Sequence, residues 1–85
     1  MEVEQKITEL KELLDILTKA LVEEPEAVQI EAHDNDGLFV LELRVADKDM
    51  GRVIGKGGRR AQAIRSIMKA KASRLDCRVA VDIIG

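Results

Sequence analysis

Three glycines and a lysine, Gly55-Lys56-Gly57-Gly58, stand between the β-branched pair Val53-Ile54 and the arginine pair Arg59-Arg60. Glycine reaches backbone conformations closed to other residues, and it puts no Cβ between the chain and a ligand. A helix that opens after such a turn points unpaired N–H groups into the same space, where they favour an anion. Lys56, Arg59 and Arg60 add full positive charge beside them. Basic residues in a helix's first turn oppose the helix dipole, so a bound anion would account for the two arginines. Residue types and spacing together predict a clamp for a phosphate backbone.

Other chemistries fit less well. The turn lacks the G-x-x-x-x-G-K-[ST] spacing of a nucleotide-binding P-loop, and no strand immediately precedes it. Eighty-five residues are too few for a doubly wound dinucleotide fold. No paired carboxylates or serine–histidine arrangement occurs in the basic half, so no catalytic residue and no enzyme activity are expected. The one histidine, His33, and the one cysteine, Cys77, fall in distant elements; neither a metal site nor a cofactor is expected.

Charge is distributed unevenly. Residues 1–50 carry 14 acids and 5 bases, a balance of −9, whereas residues 51–85 carry 2 acids and 9 bases, a balance of +7. A basic half centred on a glycine turn is the electrostatic footprint of a nucleic-acid partner, and the acidic half favours solubility. Phe39 is the only aromatic residue, which argues against stacking bases on aromatic platforms. A single cysteine allows no internal disulfide, so a reducing cytoplasm is the expected location. No apolar run reaches the length of a membrane span, and the acidic start Met1-Glu2-Val3-Glu4 lacks the basic region of a signal peptide.

The elements that must hold the turn follow from hydrophobic periodicity. Val3, Ile7, Leu10, Leu14, Leu17 and Leu21 step by three and four along one face of an amphipathic helix. Leu13, Ile16 and Ala20 widen that face, and Glu24-Pro25 is expected to end the helix. Residues 27–33 alternate, with Val28, Ile30 and Ala32 inward. Asp34-Asn35-Asp36-Gly37 then predicts a hairpin. The return strand, 38–46, turns Phe39, Leu41, Leu43 and Val45 to the core, and its partly apolar outer face leaves room for something to cover it.

Asp47 is the expected N-cap of a short helix through Ile54. The longer helix after the turn runs to about Leu75, burying Ala61, Ile64, Met68, Ala72 and Leu75. Gln62, Arg65, Lys69 and Ser73 form a polar, positive band on another face. Residues 77–84 close the chain as a strand with Cys77, Val79, Val81 and Ile83 inward. The order is α-β-β-α-α-β: an α+β domain spanning 1–85, with a three-stranded mixed sheet and helices on one face.

Val53-Ile54-Gly55-Lys56-Gly57-Gly58, followed by Ala61 and Ile64, resembles the signature of K-homology (KH) RNA-binding domains. Their mark is a G-x-x-G loop after an apolar pair, between two helices. The element order is similar to the type II arrangement of that family. Met50-Gly51-Arg52 before the loop, Ala61-x-Ala63-Ile64-Arg65 after it, Ala20-Leu21-Val22 and Leu41-Glu42-Leu43-Arg44-Val45 are similar to its small single-domain bacterial members. Arg60 departs from the pattern, where many relatives carry an aliphatic residue.

The resemblance implies a groove for about four nucleotides of single-stranded RNA, its backbone clamped by the loop. Gly55, Lys56, Gly57 and Gly58 would hold phosphates; Arg59 and Arg60 are read as contacts beside them from their place in the helix's first turn, and Arg65 as either a contact or part of a solvated helix face. Val53, Ile54, Ala61 and Ile64 would line an apolar floor. It further implies a cytoplasmic, non-catalytic RNA chaperone or post-transcriptional regulator, linked to cell shape and division. Such a protein would act as a homodimer or with a larger KH-containing relative. The alternative is a protein-interaction module, with Val53, Ile54 and the outer strand forming a dimer seam.

Overall fold

The computed structural model describes all of residues 1–85. Its helices are α1 (Val3–Lys19), α2 (Met50–Ile54) and α3 (Arg59–Arg74); its strands are β1 (Gln29–Asn35), β2 (Leu38–Arg44) and β3 (Arg78–Ile84). β2 lies in the middle of the sheet, antiparallel to β1 and parallel to β3. Two helices fill the crossover from β2 to β3, as a parallel pair requires. The expected α+β architecture with a three-stranded mixed sheet is therefore the one observed.

One core joins the layers. Leu10 and Leu14 of α1 and Ile64, Met68 and Ala72 of α3 bury against Phe39, Leu41, Leu43, Val79 and Val81 of the sheet. Register aligns these strand residues side by side, Ile30 opposite Leu43 and Leu41 beside Val81. Aliphatic rows in register on one pleated face are what two helices can cover without leaving gaps. The buried stripe expected along α3, from Ala61 to Leu75, is present throughout.

Element ends differ from the periodic reading in instructive ways. Helix α1 stops at Lys19 rather than at Glu24-Pro25, because the N–H groups of Leu21 and Val22 both bond to the Thr18 carbonyl, at 2.9 and 3.2 Å. That tightened turn brings Leu21 and Val22 onto the core, and Pro25 opens a separate 3₁₀ turn, Pro25–Ala27. Ile16 is 65% exposed and Ala20 is exposed, so neither widens the buried face. Thr18 takes that place instead, its hydroxyl satisfied by the Leu14 carbonyl at 2.7 Å.

The hairpin is tighter than four residues. Asp34 and Asn35 pair with Phe39 and Leu38, leaving Asp36-Gly37 as a two-residue loop with φ of 51° and 86°. Positive φ at both positions suits the right-handed twist of the flanking strands, and the Asp34 carboxylate accepts the Gly37 N–H at 3.0 Å.

Candidate nucleic-acid interface

Asp49 sets the position of the short helix that leads into the glycine turn. The segment expected as one helix from Asp47 is a 3₁₀ turn, Asp47–Asp49, followed by α2, and Asp47 caps neither. Asp49 is 0% exposed, and its two carboxylate oxygens accept the backbone N–H groups of Glu23 (3.0 Å) and Glu24 (3.1 Å). The chain leaving α1 is thereby tied to the start of α2. The Glu23 N–H is the main cause holding the Asp49 carboxyl below its ordinary value; burial opposes it, and the Glu24 N–H, Lys48 and Arg52 assist. Arg52 reaches both Asp49 and Glu23, at 3.5 and 3.3 Å.

The turn itself depends on glycine at three positions. Gly55 closes α2 with φ 77° and ψ 171°, Gly57 has φ 67°, and Gly58 has φ 75°. These are backbone states that residues with a Cβ rarely adopt. Gly55 donates to the Gly51 carbonyl at 2.9 Å and accepts from the Gly58 N–H at 3.1 Å, which folds the corner back on itself. At Gly55 a Cβ would meet the Arg60 Cβ at 2.7 Å, whereas at Gly57 and Gly58 it would meet nothing within 4 Å. The inner glycine is needed for packing as well as φ, while the outer two leave open space in front of the loop.

Beside that space is a cavity of about 290 Å³ lined by Ile54, Gly57, Gly58, Gln62, Arg65 and Ile83, with Ala61 at its base. Lys56 and Arg59 are exposed, and no carboxylate lies within ion-pairing distance of either. Arg65 is anchored across the α3–β3 seam, its Nε donating to the Val81 carbonyl at 3.2 Å.

The residues singled out in the sequence divide into three groups. Ile54, Gly57, Gly58, Ala61 and Arg65 converge on the cavity, whereas Gly55, Lys56 and Arg59 adjoin these residues in the chain without lining it. Val53 and Ile64 do not line it: both belong to the core beneath the loop, where they support the floor rather than form it. Arg60 turns the other way, its guanidinium donating to the Arg52 carbonyl at the end of α2. That carbonyl is one a helix C-terminus leaves unpaired, so Arg60 joins α2 to α3 across the turn.

Two cavity residues escaped the sequence reading as site residues. Gln62 is one turn before Arg65 on the same helix face, a spacing that signals it. Ile83 was legible only as an inward strand residue, because its nearness to the loop comes from the parallel crossover. A further grouping lies elsewhere, on the open face of the sheet. Glu31, His33 and Glu42 place ligand-capable atoms within 4.8 Å of one another, with His33 Nε2 3.2 Å from Glu42 Oε1. His33 thus has a partner within the sheet.

The chain is similar to families and proteins already known. The family model described as KhpA/KhpB, KH domain, matches residues 11–83. The RNA-binding protein KhpA of Clostridium acetobutylicum is 47% identical over 75 residues, covering 88% of this chain and 100% of that protein. That of Caldanaerobacter subterraneus subsp. tengcongensis is 50% identical over 73 residues, covering 86% and 97%. That of Treponema pallidum is 41% identical over 78 residues, covering 92% and 98%. Among solved structures, Aquifex aeolicus Era bound to GDP·AlF4− superposes with a TM-score of 0.59 at 22% identity, over 87% of this chain and 29% of that one. The likeness to Era is one of fold.

Proposed function

The chain belongs to the KhpA/KhpB family of KH domains, and from that premise we propose that it is a non-catalytic protein that binds single-stranded RNA through the Gly55–Gly58 loop. The observation that carries the reading is the loop's geometry. Three positive-φ glycines shape the turn, two of them, Gly57 and Gly58, bordering open space, and the cations Lys56 and Arg59 beside them have no carboxylate within ion-pairing distance. Phosphates would sit over Gly57 and Gly58, and bases would enter the cavity between Ile54, Gln62 and Ile83. The contacts are aliphatic and few, so base preference is weak and affinity is chiefly electrostatic. A cytoplasmic RNA chaperone or post-transcriptional regulator is the role that such low-specificity, reversible binding suits.

Lys56→Asp with Gly57→Asp tests the clamp. Asp tolerates the left-handed region better than most residues, and the space at Gly57 is open, so the double variant keeps its fold. It loses RNA retention in gel-shift and filter assays. A folded double variant that retains RNA as well as the parent would refute the clamp.

A protein-interaction role is the second reading, as a homodimer or with a larger KhpB-like relative. The open face of the sheet favours it, because Leu38 and Val40 remain half-exposed in the central strand opposite the helices. Val53, which the sequence had offered to the seam, is buried and contributes nothing to it. Light scattering with and without short RNA separates the two: an RNA-indifferent dimer that retains no RNA favours interaction alone.

A further inference from the structure

We propose that Glu31, His33 and Glu42, on the open face of the sheet, form a binding site for a divalent transition-metal ion of the zinc class. The site stands apart from the glycine loop and does not rest on RNA binding. Histidine and cysteine spacing alone predicts no metal site, but strand pairing supplies two carboxylates that such spacing does not show. Glu31 and Glu42 are direct partners across β1 and β2, and His33 follows two residues along β1, on the same face as Glu31. One ligand atom from each of the three lies within 4.8 Å of the others.

The spacing matches what a metal needs. A tetrahedral zinc ion with bonds of about 2.0–2.2 Å holds its ligand atoms roughly 3.3–3.6 Å apart. His33 Nε2 and Glu42 Oε1 are 3.2 Å apart before any ion is bound. Glu31 is exposed, so its carboxylate closes the remaining gap by a change of rotamer. On binding, the ion takes the Nε2 lone pair; one ring proton stays on Nδ1, and any second proton leaves to solvent. Paired strands hold such ligands more firmly than a loop does.

Charge on this face points to a cation. Like charges directly opposite one another weaken a sheet, and Asp82 of β3 is the register partner of Glu42 on its other side. Three carboxylates therefore stand in one row across the three strands. His33, beside Glu42, is the one basic group within ion-pairing distance of that row. Arg44 and Arg78 lie on the same face but pair with none of the three. An ion between Glu31 and Glu42 offsets their repulsion.

The imidazole decides the class of ion. It suits zinc, nickel, copper and iron, whereas magnesium and calcium prefer oxygen ligands throughout. Three protein ligands leave one tetrahedral position for water. Because the ligands come from both strands, the ion clasps the hairpin, and binding to the folded chain alone raises its stability.

His33 is the only histidine, so its ring resonances report the site directly. Chelator-stripped, 15N-labelled protein is titrated with zinc chloride and separately with magnesium chloride, and melting temperature is followed in parallel. Zinc shifts the His33 ring nitrogens and the amides of β1 and β2, saturates at one ion per chain and raises the melting temperature. Magnesium at the same concentrations leaves the ring unmoved. Glu31→Gln and Glu42→Gln each weaken zinc binding by at least about tenfold, the loss that removing even an outer partner of a metal ligand causes. His33→Ala abolishes it, and Cys77→Ser leaves it unchanged. A ring that zinc does not move, titration that passes one ion per chain without saturating, or affinity that survives the glutamine variants overturns the site. Zinc binding lost in Cys77→Ser, or a ring moved equally by magnesium, overturns it as well.

Discussion

Gly55, Gly57 and Gly58 share a positive φ but are constrained for different reasons. Gly55 combines φ 77° and ψ 171° with a Cβ position 2.7 Å from Arg60, so substitution there adds a clash to an already forbidden conformation. Gly57 pays only for conformation, because the space around it is open. Gly57→Ala is expected to cost about 1–2 kcal/mol, and Gly55→Ala more than that. With about 4–8 °C of melting temperature per kcal/mol in a domain this size, thermal unfolding by circular dichroism resolves the order. Equal losses would remove the packing role assigned to Gly55. Neighbouring arginines differ in the same manner. Arg59 is free, whereas Arg60 is engaged with the Arg52 carbonyl. The pair is identical as sequence, and only the path of the backbone through the glycines separates their roles.

At the scale of elements, the glycine turn is placed by a contact remote from it in sequence. Asp49 joins the end of the α1 segment to the start of α2 through two backbone N–H groups, and α2 carries the turn. Its carboxyl is held below its ordinary value chiefly by the Glu23 N–H. A depressed folded-state value means that the carboxylate stabilises the protein at every pH above the unfolded value, about 3.9. That contribution is lost as pH falls through the lower folded value. Asp49→Asn should therefore melt below the parent at neutral pH, and the difference should shrink as the solution is acidified past pH 4. A difference constant with pH would show that charge on Asp49 is immaterial. Periodicity identified α2 and α3 but assigned the cap to Asp47, because a carboxylate that bonds to a distant loop has the same local signature as one that caps its own helix.

For the molecule as a whole, the two halves of opposite charge supply different elements. The acidic first half supplies α1 and the hairpin, while the basic second half supplies the loop, α3 and β3. Binding through phosphates releases counterions, so log affinity for single strands should fall linearly with log salt concentration, by about 0.7 per phosphate held. Arg59→Ala should flatten that slope by about 0.7, the loss of one contact, and Arg60→Ala by less, since Arg60 is already engaged. Filter binding across a salt series measures both; identical slopes for the two variants would contradict the division between them. The order of elements, the buried stripe of α3 and the glycine turn between two helices were legible from sequence because each depends on local spacing and residue type. Which apolar residues surface at the site was not: Val53 and Ile64 look like groove residues in a motif but lie in the core. Ile83 reaches the cavity only because a parallel crossover lays β3 alongside α3. Local chemistry is written in consecutive residues, but burial and proximity are properties of the closed core, and no stretch of chain carries them alone.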